Sequence, residues 1–208
     1  MNLNSDKPES RTNQNSIKLL ASSSIVSFWT FISRILGLAR DIVFTSLLGA
    51  SVALDAYVVI TKIPNVFRRI FAEGAFNQAF VPVLSEYKEN NSENEVKILI
   101  NNIFGVLSSV LLIITIVVLV ITPIFVLVFA PGFYAETIKK ELATDILRIT
   151  FPYLFFVSLV ALSGSIMNTY GKFSVPALTP VFYNLVLVCT AIWIAPLYDV
   201  PVYAIAWG

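Results

Sequence analysis

Between Ile103 and Phe129 the chain runs for 27 residues without a charge. A membrane-crossing α-helix needs about 20 mostly apolar residues, so this one segment is long enough to span a bilayer. The remaining composition agrees. Of 208 residues, 57% are hydrophobic and only 13% charged, with a mean hydropathy of +0.80. A soluble domain carries about a quarter charged residues. The fold class this predicts is all-α, a polytopic membrane helix bundle.

Four more apolar segments accompany that run. The first spans about Ile17 to Leu48 and is interrupted by Arg34, Arg40 and Asp41. The second spans about Ala53 to Phe71 and holds Asp55, Lys62 and Pro64. The fourth covers about Leu147 to Tyr170 and the fifth about Phe173 to Leu197. A sixth starts near Pro201, and the few residues from there to Gly208 are too short to cross a bilayer. The expectation is five complete spans plus the start of a sixth, in a polypeptide truncated or split at its last helix. Residues 1–16 are polar and rich in Asn and Ser, and read as a disordered cytoplasmic tail ahead of one transmembrane lobe at 17–208. The first apolar segment is long and lacks a small-residue cleavage site, which makes it a retained helix rather than a signal peptide.

Orientation follows Lys and Arg. Lys7, Arg11 and Lys18 precede the first segment, Arg68, Arg69, Lys88 and Lys97 flank the second loop, and Lys172 lies in the fourth. These place the N-terminus and both loops in the cytoplasm. The contrary Lys139 and Lys140 are accompanied by Glu136 and Glu141.

Several chemistries are excluded. The chain has no histidine, hence no His-based metal site and no usual general base. Cys189 is alone in an apolar run and reads as a small buried side chain. No Walker motif, metal-ligand cluster or nucleophile–base pair is visible. The expectation is a transporter rather than an enzyme, with no cofactor, no metal and no nucleic-acid partner.

Charge is concentrated in the first two segments. An ionisable group at the bilayer centre costs roughly 2.5–3.5 kcal/mol on insertion scales, so it normally faces a watery cavity or an opposite charge. Arg34 and Asp41 are seven apart and share a helix face with Gly37 between them. Asp55, Lys62 and Arg69 repeat at the same interval, although Pro64 should kink that helix. Two helices joined by a short turn are expected to be antiparallel neighbours lining one cavity. The cationic excess favours an anion there, and arginine's planar fork suits phosphate. Structural readings stand beside this one. Arg34 and Arg40 can pair with Asp41 and Asp55, Lys62 can pair with Asp55, and Arg68 and Arg69 can extend to the surface. Glu73 can pair with Arg69 at i,i+4 or gate the cavity entrance, and Gly74 allows a tight turn.

The motifs now stand in order: Ser33-Arg34-x-Leu36-Gly37-x-x-Arg40-Asp41, Asp55-Ala56, Lys62-x-Pro64-Asn65-x-x-Arg68-Arg69, Glu73-Gly74-Ala75-Phe76-x-Gln78-Ala79-Phe80-x-Pro82 and Ala130-Pro131-Gly132-Phe133. From about Ser33 onward the chain closely resembles the MurJ (MviN) family of bacterial lipid II flippases, within the multidrug and oligosaccharidyl-lipid exporter superfamily. The resemblance implies two lobes around a central cationic cavity in the bacterial cytoplasmic membrane, of which this chain covers about the first. It implies alternating-access transfer of the undecaprenyl-pyrophosphate-linked peptidoglycan precursor to the periplasmic leaflet. Implied partners are that precursor, membrane lipids and a C-terminal lobe. Implied cavity residues are Arg34, Arg40 and Arg68, with Arg69 beside them, and the acidic Asp55; the charge pattern adds Lys62 as a substrate-binding candidate and Ser33, Glu73 and Gly74 as a possible gate. Two other readings are a drug–cation antiporter of the superfamily, which would favour a carboxylate-rich pocket, and a non-transporting scaffold or remnant.

Overall fold

The computed structural model describes residues 7–70 and 75–208, with side chains from 23–70 and 78–208. Of the expected gate residues, Glu73 and Gly74 lie outside them and Ser33 within. Every element among the described residues is helical. Helix α1 (Lys7–Leu48) takes in residues 7–16, which composition assigned to a tail, and continues through the first apolar segment. A turn at Gly49, whose φ of 60° suits a residue without Cβ, leads to α2 (Val52–Ile60), N-capped by the Ser51 side chain.

The second apolar segment is not one helix. It breaks at Thr61 and resumes as α3 (Lys62–Arg68). Pro64 is the cause. It has no N–H to give the Ile60 carbonyl, and its ring crowds that carbonyl four residues back. The amphipathic α4 (Ala75–Asn90) follows, burying Phe80 and Leu84.

Helix α5 (Glu93–Val120) starts ten residues before the uncharged run does, because a capping box is available. The Glu95 carboxylate accepts from the Ser92 N–H at 2.8 Å, while Ser92 Oγ accepts from the Glu95 N–H. The run also breaks, at Ile121, ahead of α6 (Thr122–Phe129). Pro123 cannot donate to the Leu119 carbonyl. The buried Thr122 hydroxyl stands between this carbonyl, at 2.9 Å, and that of Val118, at 2.8 Å, and shares its one hydrogen between them. A single turn, α7 (Pro131–Tyr134), connects to α8 (Thr137–Thr150) and α9 (Tyr153–Thr169), with Pro152 at their junction. The charged stretch before the fourth segment therefore forms the first turns of α8. Its lysines are engaged locally: Lys139 pairs with Glu136 at 2.7 Å, and Lys140 lies 4.2 Å from the Tyr134 ring centroid. Helix α10 (Ser174–Cys189) ends in a π turn and a 3₁₀ turn, and α11 (Pro201–Trp207) docks by Val202, Ala204 and Ile205. Tyr203 on α11 donates to Asp145 on α8 at 3.4 Å.

Among the described residues, three helical stretches are long and apolar enough to cross a membrane: Glu93–Val120, Thr137–Thr169 and Ser174–Leu197. The fold is a membrane helix bundle. Its larger core joins α2 to α6 with α8 and α9 around the fully buried Phe151, whose ring meets Phe67 at 5.8 Å and Phe125 at 6.2 Å. A smaller core gathers Phe44, Leu187, Ala191, Ala195, Ala204 and Ile205.

One packing expectation is corrected. Helix α1 does not lie along α2. It packs mainly along α10 and meets α2 only near their turn, where Phe44 and Tyr57 stack edge-on at 5.6 Å. Asn184 explains the choice, since its amide bonds Ser33 and Arg40 of α1, and Gly37 faces it at a distance where even a Cβ would make an ordinary 3.9 Å contact.

Candidate functional site

Arg40 is the best-anchored cation of the first two segments. Its Nε and Nη2 both donate to Asp41 Oδ1, at 3.0 and 2.8 Å, and its Nη1 donates to Asn184 Oδ1 at 3.1 Å. Three of the five guanidinium N–H donors are used by these contacts, leaving two. The Arg40 side chain is 27% exposed and Asp41 64%. An ion pair this wet contributes about 0–1 kcal/mol. The pairing with Asp41 is one of the structural readings left open by the sequence, and it holds for Arg40.

Asn184 is the hub. It is buried on α10, and its Nδ2 donates to the Ser33 carbonyl at 3.2 Å, to Ser33 Oγ at 3.3 Å and to the Pro180 carbonyl at 3.0 Å. The Pro180 contact fixes its rotamer from within α10, and the Ser33 contacts tie it to α1. Its oxygen then points at Arg40. Ser33 is accordingly half of an interhelical clamp.

Tyrosines extend the cluster. Tyr183, next to Asn184, stands within the electrostatic reach of both Arg40 and Arg68 and is hydrogen-bonded to Tyr153. The two rings lie 5.5 Å apart. Tyr57 on α2 stands within reach of Arg40, Asp41, Tyr153 and Tyr183. Tyr57 on α2 and Tyr183 on α10 are thus both within reach of polar groups on α1 and α9, and Tyr183 also of Arg68 on α3. Arg68 is half-buried, and its Nε donates to Asn65 Oδ1 at 3.3 Å.

Other expected residues are not drawn into this cluster. Arg34, Asp55, Lys62 and Arg69 are exposed, and their side chains make no hydrogen bond or ion pair among the described residues. Asp55 therefore pairs with neither Lys62 nor an arginine. Among the described residues no group of three or more Asp, Glu, Cys or His is placed to hold a metal.

The sequence reading missed Asn184, Tyr57, Tyr153 and Tyr183 as site residues. A signal existed for one of them: Asn184 is a lone amide in the apolar run Pro180–Cys189. A buried amide in such a run needs partners.

The comparisons with known proteins converge. The family model described as "Lipid II flippase MurJ" matches residues 44–208. The "Probable lipid II flippase MurJ" of Haemophilus influenzae is 42% identical over 186 residues, covering 86% of this chain and 36% of that protein. The "Lipid II flippase MurJ" of Burkholderia cenocepacia is 40% identical, covering 88% and 36%. A solved structure, "Lipid II flippase MurJ, inward closed conformation", superposes with a TM-score of 0.73 at 34% identity, over 88% of this chain and 38% of that one. The chain spans little more than a third of the length of these relatives. By its matched residues and its fold, it belongs to the MurJ lipid II flippase family.

Proposed function

We propose that this chain supplies the cationic wall on which a lipid II flippase holds the pyrophosphate of its lipid-linked substrate, in the bacterial cytoplasmic membrane with the N-terminus inside. The observation that carries this reading is the Arg40 clamp. Asn184 fixes the guanidinium from the buried side, and Asp41 occupies its outward fork from the solvent side. A phosphate oxygen pair has the geometry to replace the Asp41 carboxylate on that fork with two charge-assisted bonds. The spare N–H donors of Arg40, with Arg68 on the far side of Tyr183, then share the second phosphate. Exposed Arg34, Lys62 and Arg69 supply the surrounding positive field.

On this reading α1 and the broken α2–α3 pair are further spans beside the three continuous ones, and the facing wall comes from the part of the family's length that this chain does not cover. Alternating access needs both walls, so transport belongs to the pair and not to this wall alone.

The test joins this chain in frame to the remaining two-thirds of the Haemophilus relative and expresses the fusion in cells depleted of their own flippase. The parent fusion should restore growth. Arg40→Ala should abolish rescue while the protein still accumulates in the membrane, and Arg40→Lys should rescue poorly because an ammonium lacks the planar fork. Full rescue by Arg40→Ala would remove the guanidinium from the mechanism.

A further inference from the structure

The turn between α9 and α10 carries two adjoining recesses. Gly171, Lys172, Phe173, Ser174 and Val175 line the first, of about 240 Å³. The second, of about 270 Å³, begins at the same Val175 and runs between the helices past Met167, Gly164, Ser163, Val160 and Phe156. Gly164 forms its floor, since a Cβ there would touch the Pro176 ring at 3.4 Å.

The dimensions and the chemistry of the two differ in an informative way. The groove follows α9 from residue 167 to residue 156, about 16 Å at 1.5 Å per residue. One leaflet of a hydrocarbon core about 30 Å thick has nearly the same depth. The recess at its mouth sets Lys172 and Ser174 beside the apolar Phe173 and Val175 and carries no carboxylate. The Lys172 ammonium and the Ser174 hydroxyl make no hydrogen bond or ion pair among the described residues. Close by, Lys88 reaches over from α4, lying 4.0 Å from the Tyr170 ring centroid and donating to the Thr169 carbonyl at 3.4 Å. One uncommitted cation, Lys172, therefore stands at the head of a slot one acyl chain long, with Lys88 held beside it by Tyr170 and Thr169.

We propose that this slot is a binding site for one anionic glycerophospholipid, with its phosphate against Lys172 and Ser174 and one acyl chain along α9. Basic recesses between membrane helices at the bilayer surface take anionic headgroups on these terms. The site is separate from the Arg40 cluster, and it needs neither Asn184 nor any arginine.

Native mass spectrometry of the detergent-solubilised 208-residue chain tests it, with phosphatidylglycerol and phosphatidylethanolamine of identical acyl chains as probes. Phosphatidylglycerol adducts should persist at about fivefold lower lipid concentration, the effect of one lysine near an anionic headgroup. Lys172→Ala should bring the two lipids level, Lys172→Arg should keep the preference, and Ser163→Leu should weaken both by filling the groove. Circular dichroism of each variant separates loss of the site from loss of fold. Equal retention of the two lipids by the parent chain would overturn the proposal. So would a preference that survives Lys172→Ala, or displacement of phosphatidylglycerol by undecaprenyl phosphate at the same stoichiometry, which would assign the slot to an isoprenoid lipid.

Discussion

Asn184 joins two helices through its amide, and the consequence can be measured. Polar pairs between membrane helices average about 0.6 kcal/mol, with a maximum near 1.7. Asn184 makes several such contacts, one of them to a guanidinium. Asn184→Ala should therefore lower stability by about 1 kcal/mol in a denaturant titration, above the average pair and below a fully buried charge contact. It should also release Arg40 from one side, so the variant should bind a pyrophosphate-bearing lipid more weakly than its small stability loss accounts for. Gly37 gives the converse result. A Cβ there would sit 3.9 and 4.0 Å from the Asn184 amide, an ordinary contact. Glycine inside a helix costs roughly 0.5–1 kcal/mol relative to alanine. Gly37→Ala should leave the melting temperature unchanged or raise it, whereas Gly37→Leu should lower it by displacing Asn184. A fall with Gly37→Ala would mean the helices approach more closely than described. The cost of a charge in hydrocarbon made Arg34, Arg40 and Asp41 visible in the sequence. Asn184 was hidden because its task depends on which helix lies opposite, and periodicity carries no such information.

The proline breaks set the shape of the helices. The uncharged run from Ile103 was legible as a membrane segment, and its interruption at Ile121 was not. The break depends on local bond satisfaction, to which hydropathy is blind. Thr122 and Pro123 act together here. The proline removes the donor for the Leu119 carbonyl, and the threonine hydroxyl restores one. Without water in the bilayer, an orphaned carbonyl is expensive. Thr122→Val, which keeps the shape and removes the hydroxyl, should cost about 1–3 kcal/mol. In a Pro123→Ala background the backbone N–H returns, and the same Thr122→Val change should cost well under half as much. A double-mutant cycle on thermal or denaturant unfolding reads the coupling directly. Equal costs in the two backgrounds would show that the hydroxyl does not serve the carbonyl freed by Pro123. The same reasoning explains why Asp55, Lys62 and Arg69, aligned at intervals of seven on paper, do not sit on one uninterrupted helix. The break ahead of Pro64 separates the helix that carries Asp55 from the one that carries Lys62.

At the scale of the whole molecule, the arrangement that matters is α1 against α10. Chain order suggested α1 against α2, since a short turn joins them. Membrane helices gain nothing from apolar contact alone, because lipid is equally apolar. Polar contacts decide the pairing instead, and α1 finds them on α10: Ser33 and Arg40 supply the groups that Asn184 needs. The short α2 meanwhile buries Ala56 and Ile60 in the larger core, with α8 against it. The positive face therefore lies at a junction of several helices rather than between two, and Tyr183 on α10 stands within the electrostatic reach of both Arg40 and Arg68. Cysteine pairs distinguish the two arrangements. With Cys189 replaced by Ser, Ser33→Cys with Asn184→Cys should form an intramolecular disulfide in membranes under mild oxidation, because Asn184 Nδ2 already lies 3.3 Å from Ser33 Oγ. Arg34→Cys with Asp55→Cys should not, since α1 and α2 meet only at their turn. The reverse pattern would place α2 along α1, and the Arg40 clamp would then lose the helix that holds it.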